Sequence, residues 1–266
     1  MFPVEVLELI LQELRLLGWQ SVKACSLVSH DFHLVARQIL FQKVVLFLEP
    51  NPTGPSTLQS AEFLEFLTRD AQVASHIRDL SIKRKPQSRA EDAAGDWQTS
   101  ADKLALLLPK LTRLRRLHIQ SNFIADWTRK NDDLRNVIMQ LCRLPLQTLE
   151  LSFVALKENE ILSFTGVPKV SLCCIDILPS LSTSRRRLNR ESSPSSSLAP
   201  NNPIQLQDLT IIPRYSDNRL PEIWSIMKAA GNSLTSLKCY SSPLDGTSLH
   251  LVRETFTNLK LFQPAS

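Results

Sequence analysis

The sequence predicts an α/β chain. A short all-α N-terminal module of three helices precedes an irregular solenoid of alternating strands and helices built on a parallel sheet. Three observations lead there. An apolar residue, two others, an apolar residue, one other and a further apolar residue recur eight times in the 266 residues. Helix-period stretches lie between these copies. Residues 1–41 place their apolar side chains at helical spacing throughout.

In the module, Pro3 suits the first helical position. Val6, Leu7, Ile10, Leu11 and Leu14 then recur at three- and four-residue steps, and Val4 and Leu9 widen the stripe. A second helix is expected over Ser21–Ser29, carrying Val22, Cys25, Leu27 and Val28. A third carries Phe32, Val35, Ile39 and Leu40. A chain of about 40 residues rarely buries enough surface to fold unaided. No cysteine pattern staples this one. Its spare apolar face must therefore meet either the first repeat or another protein.

Residues 41–262 form the second region. The eight copies begin at Phe41, Ile77, Leu114, Leu146, Val167, Leu206, Leu234 and Phe256. Period-two alternation is the mark of a strand buried on one face. Between copies, helices are expected at Ser60–Asp70, at Thr99–Leu108 with Ser100 as N-cap, and at Asn131–Leu144. Further helices are expected at Leu220–Ala230, ending at Gly231, and at Thr247–Phe256. A strand feeding a helix and then another strand gives parallel neighbours. One such unit cannot bury its own apolar face, so the units must stack. The last copy stands close to Ser266 with no polar capping repeat after it, an end that a partner would cover or that a longer chain would complete. Residues 180–203, rich in Ser, Pro and Asn and carrying Arg185, Arg186, Arg187 and Arg190, read as a disordered insertion or a phosphorylated segment.

The repeat resembles the leucine-rich repeat, L-x-x-L-x-L-x-x-N. Leu114 to Asn122 match it at every position, while Lys85, Val154, Ile175, Arg214 and Ser242 stand where the asparagine belongs in other copies. An irregular arc without an asparagine ladder is the expectation. The N-terminal residues resemble the F-box, in particular that of basidiomycete fungi. Phe2, Pro3, Val4 and Glu5 stand in its opening L-P-x-E, followed by Leu7, Ile10 and Leu14. Leu27 and Val28 keep the L-V of its L-V-C-[KR]-x-W. Ser29 replaces the cysteine, His30 the basic residue and Phe32 the tryptophan.

The resemblance implies a non-catalytic substrate receptor of an SCF-type ubiquitin ligase. The F-box would dock onto a Skp-type adaptor and through it a cullin scaffold, with Pro3, Val4, Leu7, Ile10, Leu11, Leu14, Leu27, Val28 and Phe32 forming or supporting the adaptor face. The repeats would hold a target protein. The alternative is a stand-alone leucine-rich-repeat scaffold whose F-box is degenerate.

Residues alternating with the core positions face away from the helices. They form candidate target-binding columns: Lys83, His118, Gln120, Glu150, Ser152, Thr210, Lys238 and Tyr240, with Ser81, Ser171, Cys173 and Ile212 among them. The same columns would also suit a merely solvated face.

Composition excludes other classes. The 6 glycines are scattered, so neither a P-loop nor a dinucleotide-binding loop can be built. The net charge of +5 is concentrated in 180–203, with no basic stripe interleaved with aromatics, so nucleic acid is not an expected partner. No apolar run approaches the ~20 residues of a membrane span. The 5 cysteines show no C-x-x-C, and of the adjacent pair Cys173–Cys174 one is expected in the core and one on the sheet. His30 and His33 lack a third ligand. No catalytic motif, cofactor site or metal site is expected, and the reduced thiols suit an intracellular protein of the cytoplasm or nucleus.

Overall fold

The computed structural model describes residues 3–48, 55–84, 94–120, 132–178, 205–213, 230–239 and 261–264. The molecule is mixed α/β, with N-terminal helices followed by parallel strands. It divides into two compact units, Met1–Leu117 and His118–Ser266. The first unit holds the helical module together with the first strands.

The first unit opens with α1 (Val4–Leu17), α2 (Trp19–Cys25) and α3 (His30–Phe41). Pro3 sits one residue earlier than expected, at the N-cap, where its carbonyl accepts from the Val6 and Leu7 N–H groups at 3.0 and 3.2 Å. Gly18 turns the chain between α1 and α2 at φ 134°, a conformation that excludes side-chain-bearing residues. The second helix is shorter than expected and stops at Cys25. Ser29 instead caps α3, its hydroxyl accepting from the Phe32 N–H at 3.3 Å. Leu7, Leu11, Val22, Val35, Ala36 and Ile39 close a small core among the three helices.

Two parallel strands follow, β1 (Lys43–Leu48) and β2 (Asp79–Arg84), paired from Lys43↔Asp79 to Leu48↔Arg84. Between them lie α4 (Pro55–Arg69) and α5 (Ala71–His76). Asp70 joins module and repeat. It accepts from the Val73 N–H at 3.0 Å to cap α5, and it pairs with Arg37 of α3. These two partners, the Val73 amide first, hold its carboxyl below the usual range against the opposing effect of burial. Phe41, Phe63 and Phe66 cluster at centroid distances of 6.1 to 6.3 Å and join α3 to α4. Next comes α6 (Ala94–Leu107), which begins before the expected Thr99, so Ser100 lies inside the helix and is not its cap. A 3₁₀ turn containing Pro109 ends it, and β3 (Arg116–Gln120) follows.

The second unit holds α7 (Asp132–Leu141), β4 (Thr148–Ser152), β5 (Ala155–Lys157), α8 (Glu158–Ser163) and β6 (Lys169–Leu178). It continues with β7 (Asp208–Pro213), β8 (Ser236–Cys239) and β9 (Leu261–Pro264). The order is β4-β6-β7-β8-β9, every pair parallel, with β5 beside the far end of β6. Each strand starts two residues after the first apolar residue of its motif. Those first residues, Leu146, Val167, Leu206 and Leu234, are nevertheless buried, with Leu149, Leu151, Val170, Leu172, Leu209, Ile211 and Leu237. The last expected copy differs, since β9 begins only at Leu261, its final apolar position. Gln207 shows how the copies are tied. Its N–H donates to the Pro168 carbonyl at 2.8 Å, and its own carbonyl accepts from Thr235 at 2.8 Å.

The asparagine position has a different use here. Phe153 and Cys174 both adopt positive φ, 57° and 52°. They occupy matching places, because Thr148↔Lys169 before them and Ala155↔Asp176 after them keep one register. The Phe153 N–H donates to the Cys173 carbonyl at 2.9 Å. Each left-handed residue slips the in–out alternation by one. The next residues along, Val154 and Ile175, are therefore buried where the motif would carry asparagine. The same slip corrects the expectation for the cysteine pair: Cys173 and Cys174 are both half-buried, and neither enters the core. The expected helices Leu220–Ala230 and Thr247–Phe256 and the insertion 180–203 lie outside the described residues, apart from Ala230.

Candidate functional site

The apolar face of the module is the first candidate. The structure sorts its nine residues into two groups. Leu7 and Leu11 are 3% and 0% exposed and form the module core, with Leu14 and Phe32 half-buried against it. Pro3, Val4 and Ile10 are exposed on α1. Leu27 and Val28, in the turn before α3, are 86% and 70% exposed. Sequence reasoning left out Leu9, Leu16 and Leu17, which are more exposed than Ile10. Only the helical register, read from the neighbours each residue buries, separates them from Leu7 and Leu11. The turn is hydrogen-bonded: the Leu27 and Val28 N–H groups donate to the Ala24 and Cys25 carbonyls at 3.1 and 3.0 Å, and Ser29 caps α3 directly after it.

The second candidate is the outward face of the strands. Glu150, Ser171, Thr210 and Lys238 stand in one row by register across β4, β6, β7 and β8. Ser152, Cys173 and Ile212 form a second row beside it. All are half-buried. His118 of β3 lies 3.9 Å from Glu150, through Nδ1 and Oε2, and Gln120 stands two residues on with similar exposure. Lys83 is half-buried on β2 of the first unit. Ser81 departs from its expected place and is buried. Tyr240 lies outside the described residues.

One buried polar site escaped sequence reasoning. Arg135 of α7 donates to Glu160 of α8 at 2.8 Å and to the Ala155 carbonyl at 3.2 Å. Glu160 also accepts from the Lys157 N–H at 2.8 Å, closing the first turn of its helix. Both side chains are withdrawn from solvent, and Arg135 Nε finds no acceptor. The partners are far apart in sequence, and a charged residue on an amphipathic helix gives no signal that it points inward.

Among the described residues, no cluster of three or more His, Cys, Asp and Glu is placed to hold a metal ion. His30 and His33 are both exposed. Burial pushes the Cys142 thiol up to about 12, away from nucleophilic use. No described helix is long and apolar enough to cross a membrane. No protein-family model matches the chain, and no curated protein matches it.

Proposed function

We propose that the chain is a non-catalytic substrate receptor of an SCF-type ubiquitin ligase. The exposed side of α1 and the Leu27–Val28 turn dock a Skp-type adaptor, which links to a cullin scaffold. The strand region, read as an irregular leucine-rich-repeat-like solenoid, holds a target on its outward polar face. The protein acts by raising the effective concentration of the target near a ubiquitin-charged partner. One observation carries this reading. The module closes its own core with Leu7, Leu11, Val22, Val35, Ala36 and Ile39 and still leaves Val4, Leu9, Leu27 and Val28 in solvent. Large apolar side chains that folding leaves in solvent are what a docking site presents. Rows of hydroxyl and charged side chains, Glu150 to Lys238, support the target-binding part.

A second reading, a repeat scaffold outside any ligase, draws on Ser29. Where the F-box pattern has cysteine, this residue serves as the cap of α3. Co-purification with a co-expressed fungal Skp-type adaptor separates the two readings. Wild type binds under the first, and Leu27→Asp with Val28→Asp abolishes binding while circular dichroism is unchanged. A folded wild type that leaves the adaptor in the flow-through sinks the first reading and favours the second. Leu7 and Leu11 do not serve for this test, because changing them opens the core.

A further inference from the structure

Within the first unit, α1, α3 and the residues just ahead of β2 and β3 line an open cleft of about 450 Å³. Its cations come from three places in the chain: Arg15 of α1, Arg78 just before β2, and Arg113 ahead of β3. His76, at the end of α5, stands among them, and Glu8 is the one carboxylate among the lining residues described. Glutamines and aliphatic side chains complete the wall.

The backbone fixes these positions. The Arg78 and Asp79 N–H groups both donate to the Gln42 carbonyl, at 2.9 and 3.0 Å. The Arg78 carbonyl in turn accepts from Arg115 and Arg116 at 2.8 and 2.9 Å. Arg15 is held in place as well. Its Nη1 donates to Gln42 Oε1 at 3.2 Å, and its guanidinium lies 4.7 Å from the Trp19 ring centroid. A guanidinium has five N–H donors, so Arg15 keeps donors for a ligand.

Elsewhere in the unit, arginines meet carboxylates: Arg37 with Asp70, and Arg69 with Glu65. Among the described residues, neither Arg78 nor Arg113 takes part in an ion pair. Part of this charge reaches His76. Burial first, then Arg113 and Arg37, hold its pKa below the ordinary value, against the pull of Asp70. The volume lies in the range of small-molecule sites and is too small for a folded partner. Guanidinium forks fit phosphate and carboxylate oxygens alike. One phosphate group offers three acceptor oxygens to these three forks, where a carboxylate offers two.

We infer that this cleft binds a small soluble phosphate-bearing anion of at least two negative charges, held by Arg15, Arg78 and Arg113 with His76 beside them. The inference does not depend on any partner of the module. Titration calorimetry of the full chain with pyrophosphate, at fixed ionic strength, tests it, with citrate as the carboxylate control. One saturable site is expected, weakening steeply with salt. Arg78→Gln and Arg113→Gln should each weaken it about tenfold, the scale of one charge-assisted hydrogen bond. Both side chains are exposed, so the fold should survive, as thermal melting will show. Arg69→Gln, outside the cleft, should leave binding unchanged. Bound pyrophosphate should also draw the His76 NMR titration upward, against burial, Arg113 and Arg37 and alongside Asp70. The inference is overturned by the absence of a saturable site, by citrate binding as tightly as pyrophosphate, or by Arg69→Gln weakening binding as much as Arg113→Gln.

Discussion

The helical module and the strands of the second unit distribute apolar side chains differently. In β4, Leu149 and Leu151 point inward while Thr148, Glu150 and Ser152 occupy the outer face, and β6 and β7 repeat the arrangement with Ser171 and Thr210 outside. In α1, Leu7 and Leu11 point inward, yet Val4, Leu9 and Ile10 stand outside as well. The outer face of a strand needs no apolar residue to fold, and here it carries almost none. The outer face of the module needs none either, and it is full of them. Burying such surface against a partner releases roughly 25 cal/mol per Å². Two kinds of exposed surface are therefore present: an apolar one on the helical module and a polar one on the strands.

The sharpest way to break this contrast lies inside the second unit, whose interior is not wholly apolar. Glu160→Ala should destabilise that unit by about 3–5 kcal/mol, because Arg135 would stay buried without its partner. Replacing both residues together, Arg135→Met with Glu160→Leu, should be close to neutral. Urea denaturation of the three proteins measures both. If the single change proves harmless, the pair lies in water and the interior reading fails.

Next in size is the division within α1. Leu11→Ala should cost about 3 kcal/mol, the usual penalty for a fully buried leucine. Leu9→Ala, two residues earlier and 63% exposed, should change stability by less than about 0.5 kcal/mol. Equal losses in thermal melting would mean that the module has no distinct outer face. Smaller again is Ser29→Ala, expected to remove about 1 kcal/mol by uncapping α3. Ser29→Asp should restore most of it, since either side chain can accept from the Phe32 N–H.

These pairs also show what the sequence made legible. The strands were readable because alternation has a fixed period and the buried partners lie two residues apart. The boundaries shifted because the first apolar residue of each motif is buried before the strand begins, as at Leu146 and Val167. The inner and outer faces of α1 were not readable, because apolar residues surround most of the helix and only packing selects Leu7 and Leu11. The matched kinks at Phe153 and Cys174 were hidden for another reason: neither residue is glycine, so nothing in the sequence announces positive φ. The basic cleft draws Arg15, His76, Arg78 and Arg113 from separate elements, a set that appears only once the chain is folded.

Near neutrality the smallest effects are those of pH, and they separate the two units again. His76 has its folded pKa below the unfolded 6.5, through burial, Arg113 and Arg37. The unfolded chain then binds the proton more readily. Stability is full above 6.5 and falls as pH drops from there toward the folded value. Cys142 behaves in the opposite way. Burial raises its folded pKa to about 12 from 9.0, so its contribution is full below 9.0 and declines as pH rises beyond it. Through these two groups the first unit should weaken on mild acidification, and the second in alkali. Urea midpoints across pH 5 to 10 should show His76→Gln flattening the acid limb alone and Cys142→Ala the alkaline limb alone. An acid limb unchanged by His76→Gln would show that burial, Arg113 and Arg37 leave its proton affinity untouched, and would remove one support from the anion site.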